Sequence, residues 1–193
     1  MAKGVFAFFV ASIFLFALLS FAALVLEAKK PSFFVGTYKL AELEAFAVKR
    51  AIHDAAAEGA AKGILLALAS GAEPYVEAKR GVHQALVELE QSTIQAGFPV
   101  KIWCGHPSFE DLSLASEEME KLKEPVIPKN AHHISNSDCL KLIYVDLSRQ
   151  SIHLSSFGFS VFLEPAGQGS AFLLPEDEEV RFDAANLSGS IFN

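Results

Sequence analysis

Cys104-Gly-His106, the pair His132-His133, and Cys139 are the residues whose types could do chemistry in this chain. Thiolate and imidazole ligands of this kind suit zinc or copper. Their spacing fits no established metal pattern, because there is no Cys-x-x-Cys and no His pair at helical separation. Cys104, His106, His132, His133 and Cys139 are therefore candidate ligands by type alone, and the expectation is no metal and no cofactor. Two cysteines also permit one disulfide closing a loop of about 35 residues, or two buried free thiols. The bridge is the expectation for a domain outside the cytoplasm.

Other catalytic patterns are lacking. No serine lies in Gly-x-Ser-x-Gly, and Ser170 precedes an apolar run of strand type. Gly59–Gly63 sits in a helical stretch and lacks the Lys-Ser or Lys-Thr of a phosphate loop. The paired carboxylates Glu117-Glu118 and Glu178-Glu179 are neighbours in polar segments and read as solvated, while His53 and His83 fall on helices. The residues point to a protein that is not an enzyme.

The elements that hold these residues begin with an apolar segment. Gly4–Leu26 carries no charge over 23 residues. As a helix it would be roughly 34 Å long at about 1.5 Å per residue, which matches a hydrocarbon core of about 30 Å. A cleaved secretory signal has a shorter apolar region, so an uncleaved anchor is expected, with membrane lipid as its partner. Lys29 and Lys30 favour a cytoplasmic position for the rest of the chain. The two cysteines, the sequon Asn186-Leu-Ser188 with Asn186 as a glycosylation candidate, and the short N-terminal arm favour the outside, which is the expectation here. Net charge is −7, with acidic runs at Glu110–Glu124 and Glu176–Asp183, so nucleic acid is an unsuitable partner.

Pro31 and Gly36 break the anchor from a second helical stretch, Tyr38–Ser70, rich in Ala, Leu, Glu and Lys. Ile52, Ala56, Gly59 and Gly63 share one face, so another helix can approach closely. A further helix runs over about Pro74–Ala96, with Val82, Leu86, Leu89 and Thr93 inward. Glu77, Lys79, Arg80, Glu88 and Glu90 are expected on its wet side. Gly97 caps it with Pro99 beyond, and the two helices should pair as a hairpin.

From Val100 the period becomes that of a strand, with Val100, Ile102 and Cys104 on one side. Ser108–Lys123 reads as a surface helix or irregular excursion with Ser116 as a possible cap, and Pro125–Asp138 as loop. Leu140–Leu147 and Ser151–Leu163 are β-rich runs joined at Ser148-Arg149-Gln150, followed by strands at Ser170–Leu174 and Glu179–Asp183. The fold class is thus α+β: an N-terminal transmembrane helix (1–30), a helical extension (31–99) and a small antiparallel sheet domain (100–193).

This order of elements resembles the type IV pilin-like and TadE-like minor pilin proteins of prokaryotes. Ala2-Lys3-Gly4-Val5 is similar to the site where prepilin peptidases cut. Val48-Lys-Arg-Ala-Ile-His-Asp-Ala-Ala-Ala-Glu-Gly-Ala-Ala is similar to the alanine-rich helix that follows the anchor in TadE-like chains. Phe9 stands where bacterial pilins carry glutamate at the fifth mature position, and Pro31 interrupts the stem. The resemblance implies an extracytoplasmic head and a structural protein of a surface filament or its assembly. Self-association, or contact with other envelope proteins, would run through Val5, Phe6, Phe9, Ile13, Leu15, Phe21, Gly59 and Gly63. The alternative expectation is a membrane-tethered binding or sensory module, with the His132-His133 loop as contact surface and a pocket near Pro125–Asp138.

Overall fold

The computed structural model describes residues 43–163, 167–175 and 179–183. The expected anchor at Gly4–Leu26, the assembly residues Val5, Phe6, Phe9, Ile13, Leu15 and Phe21, and the sequon at Asn186 lie outside them. No helix among the described residues is long and apolar enough to cross a membrane.

Two helices open the described chain. Helix α1 occupies 43–70 and α2 spans Pro74–Gln95. Gly71, at φ 70°, stops α1, and the Ala72 N–H returns to the Ala67 carbonyl at 3.1 Å. Pro74 then starts α2, where its missing N–H would have found no intrahelical partner. At the far end Gly97 takes φ 78°, and Phe98 and Gly97 donate to the carbonyls of Thr93 and Ile94. This is a Schellman closure, as the Gly-x-Pro signal predicts.

The hairpin closes on glycine. A Cβ added at Gly81 would sit 2.0 Å from the Gly59 carbonyl oxygen, and one at Gly63 would sit 2.1 Å from that of Glu77. The two backbones therefore touch directly, and only residues without a side chain permit it. Ile52, Ala56, Ala60 and Ala67 of α1 and Ala78, Val82 and Leu86 of α2 are buried along the hairpin.

Strand β1 (Val100–Gly105) comes next, then α3 (Phe109–Leu122), β2 (Ala131–His133), α4 (Asp138–Leu142), β3 (Tyr144–Asp146), β4 (Ser151–His153), β5 (Phe157–Leu163), β6 (Gln168–Leu173) and β7 (Glu179–Arg181). Two antiparallel sheets result, ordered β2-β1-β5-β6 and β3-β4-β7. The α+β class stands, but the single sheet expected from the sequence is two. Ser151–Leu163 is not one strand: a turn at Leu154–Ser156 separates β4 from β5, and each joins a different sheet.

Register shows how the larger sheet is covered. Trp103 faces Gly158 across the ladder, and Gly169 faces Phe162. A Cβ on Gly158 would strike the Trp103 ring at 2.3 Å, and one on Gly169 would strike the Met119 Cβ at 2.2 Å. So this face accommodates the indole and α3. Val100 and Ile102, on the opposite face, line a cleft with α1 and α2. Every residue of β5 is consequently buried, including the polar positions of its alternating pattern. Ser160 answers the indole by accepting its Nε1–H at 3.1 Å.

Three further expectations are corrected. Ser116 does not cap α3: it lies mid-helix and its hydroxyl donates to the Leu112 carbonyl at 3.1 Å. Ser108 is the cap, forming a capping box with Asp111. Pro125–Asp138 is not all loop, because Ala131–His133 pairs with β1. Leu140–Leu147 begins as α4, whose first and last turns carry the Asp138–Lys141 ion pair at 2.7 Å, in keeping with the helix dipole. The hairpin helices and both sheets belong to one compact unit, Glu44–Asn193.

Candidate functional site

Cys104 on β1 and Cys139 on α4 are joined by a disulfide, with Cα atoms 5.6 Å apart. The five metal candidates separate accordingly. Both thiols are consumed by the bridge. His106 is exposed and lies 3.3 Å from the Ser156 hydroxyl. His132 and His133 are successive strand residues, so their side chains diverge. Among the described residues no group of three or more His, Cys, Asp or Glu could hold a metal.

His133 belongs instead to a cluster whose central residue the sequence places wrongly. Glu90, expected on the wet side of α2, is only 4% exposed. It continues the buried series Ala78, Val82, Leu86 at intervals of four, the signal that could have found it. Its Oε2 accepts the Ile102 N–H at 2.7 Å, and His133 Nε2 donates to its Oε1 at 2.6 Å. Lys101 Nζ stands 3.7 Å from the same oxygen. The reason lies in the ladder. β2 ends at His133, so the Ile102 N–H has no strand partner on that side, and the carboxylate supplies one. The buried charge is tolerable because two hydrogen bonds and a nearby cation meet it.

Ser135 completes the cluster, its hydroxyl 2.6 Å from His133 Nδ1. The Ser135 N–H also donates to Nδ1, at 3.2 Å, which leaves Nε2 as the protonated nitrogen. Carboxylate, imidazole and hydroxyl thus stand in the order used by serine hydrolases. Here, however, both Ser135 contacts are those of a turn closing on itself two residues away. Two concavities among the described residues, along the α1–α2 seam and between α1, α2 and β1, are lined by none of Glu90, His133 and Ser135. The cluster ties α2 to the end of the β1–β2 ladder.

Asp111 is held below the ordinary aspartate range chiefly by the Ser108 backbone N–H, then by the Ser108 hydroxyl and the Asn130 amide. Those contacts fasten the start of α3 to the loop before β2.

Both concavities involve the helical hairpin. A groove of about 570 Å³ runs along the α1–α2 seam, over Gly59, Gly63 and Gly81 and between the ion pairs Glu58–Lys62 and Glu77–Arg80. Gly59 and Gly63, expected as packing residues, do pack closely, but against α2 of their own chain. A second cleft, about 240 Å³, lies between α1, α2 and β1, with Val48, Ala51, Leu89, Phe98, Val100 and Ile102 among its apolar lining. Glu44 is at its wall, and Glu44 Oε2 is buried with no hydrogen-bond partner among the described residues. The pocket expected near Pro125–Asp138 corresponds to neither.

No protein-family model, no curated protein and no solved structure matches this chain.

Proposed function

We propose that this protein is a single-pass, membrane-anchored, pilin-like structural component of a surface filament or of its assembly. Residues 4–26 would be the anchor and bundling element, and the α+β unit an extracytoplasmic head without catalytic function. The observation that carries the reading is the Cys104–Cys139 disulfide. Such bonds persist in oxidising compartments. Combined with 23 uncharged residues at the front of the chain, the bridge favours a head on the outer side of the membrane. The long α1 and the two-sheet head agree with that plan. Protease added to intact cells tests the placement: the head should be digested while a cytoplasmic control survives. Protection of the head until the cells are lysed would refute it.

A membrane-tethered binding module is the second reading. The apolar cleft beside Glu44 favours it, since pre-formed, mostly apolar concavities with few polar groups are typical of ligand sites.

A further inference from the structure

We propose that the end of the helical hairpin where α1 begins and α2 finishes rests on a lipid surface, with Phe46 and Ile94 entering the bilayer interface; this inference rests on the anchored reading of residues 4–26. The hairpin contacts fix which residues share that end. Gly59 meets Gly81, and Gly63 meets Glu77. Carried toward the start of α1, this register sets Ala47 level with Thr93, which line one cleft together, and Phe46 level with Ile94. Phe46 is 63% exposed and Ile94 46%. Ala47, Ala96, Gly97 and Pro99 beside them are exposed as well. Single apolar residues on a surface are ordinary, but these gather at one end of one pair of helices. The apolar cleft lined by Val48, Leu89 and Phe98 lies at the same end.

The occupant follows from where the chain comes from. Residues 27–42 separate the uncharged run from α1, and they span at most about 55 Å even when fully extended. A link of that length holds this end near the bilayer at an effective concentration in the millimolar range, so a few apolar side chains suffice for contact. Arg50 lies one turn beyond Phe46 on the same side of α1, exposed and only loosely paired, 3.9 Å from Asp54. Apolar side chains with a cation one turn behind them match the interface, where acyl chains give way to phosphates. Leu66 and Leu68 are also exposed, but they lie near the other end of the hairpin, roughly 30 Å along α1 from Phe46. They serve as the internal contrast. With a net charge of −7 the chain as a whole is not drawn to anionic lipid, so zwitterionic phosphatidylcholine is the appropriate probe.

The test uses the full chain in phosphatidylcholine nanodiscs, with some of the lipid carrying a doxyl quencher and iodide as the quencher in water. The chain's two cysteines form the bridge, so one introduced cysteine carries the fluorophore alone. Labels go singly at Ala47→Cys and Ala96→Cys, at Ala69→Cys near the far end of the hairpin, and at Leu15→Cys as the reporter of the anchor. Doxyl lipid is expected to quench the labels at 47 and 96 at least threefold more than the label at 69. Phe46→Ser with Ile94→Ser should lower the quenching at 96 to the level seen at 69. Both positions are exposed, and the emission of buried Trp103 verifies that this variant folds. The comparison among the labels needs no change to Phe46 or Ile94. Quenching at 15 without an excess at 47 and 96 over 69 would overturn the surface contact and leave the anchored subunit standing. No quenching at 15 would overturn both. Labels at 47 and 96 shielded from doxyl lipid and from iodide alike would overturn lipid as the occupant in favour of protein.

Discussion

Replacing Gly81 by alanine sets two effects of opposite sign against each other. In an exposed helix the change should stabilise by about 1 kcal/mol, because glycine has more backbone freedom to lose. Here the new Cβ would lie 2.0 Å from the Gly59 carbonyl oxygen and 2.9 Å from its carbon. Both are backbone atoms and cannot swing aside, so α1 and α2 must part by roughly 1 Å or more at their contact. Overpacking of a close-packed interior costs about 1–3 kcal/mol. The rigid obstacle places this case near the upper end, for a net loss of about 2 kcal/mol. In a compact unit of this size that corresponds to a fall in Tm of about 4–8 °C. Trp103, the sole tryptophan, is fully buried, so its fluorescence follows unfolding of the intact protein by heat or urea. Gly71→Ala is the control: nothing lies within 4 Å of its added Cβ, and it meets only the left-handed φ of 70°, a cost of about 1–2 kcal/mol. A Gly81→Ala protein as stable as the parent, or more stable, would refute direct backbone contact in the hairpin.

Three other outcomes are expected. Replacing Cys104 and Cys139 together by alanine should cost about 4 kcal/mol, the loop-entropy value for a separation of 35 residues, read as a lower urea midpoint of Trp103 fluorescence; an unchanged midpoint would count against the bridge. Glu90→Ala should destabilise by about 3 kcal/mol, since the Ile102 N–H and His133 lose a buried partner, and the Ile102 amide should exchange faster with solvent; parent-like exchange would contradict the assignment. Asp111 has a lowered pKa in the folded state, so its contribution is full above the ordinary aspartate value and is lost as pH falls through the lower folded value. Carboxyl NMR should show it titrating below the usual range near pH 4, and Ser108→Ala should move that midpoint upward; a midpoint at the usual value would exclude the capping box.

Much of this architecture is legible in residue order, where local chemistry and tertiary packing agree. Pro74 and Gly97 bound α2 because each acts through its own backbone. Gly59 and Gly63 mark the hairpin seam because their spacing survives folding. Legibility ends where the decisive partner is distant in sequence. β2 carries the polar pair His132-His133 and has no strand pattern of its own; pairing with Trp103–Gly105 makes it extended. Glu90 looks solvated by type, and only the unfilled end of the β1–β2 ladder explains its burial. The polar positions of β5 look like an outer face, yet Trp103 needs the space above Gly158. The cleft beside Glu44 is invisible in sequence, because its lining comes from three separate elements.

That this chain is an anchored subunit of a surface filament is tested most directly by negative-stain microscopy. The sample is the natively purified, full-length protein under conditions that preserve assemblies. Filaments are the expected result, or short bundles that are lost when charge is introduced at Phe9 or Ile13. Isolated particles under every such condition, with the anchor intact by mass, would contradict it.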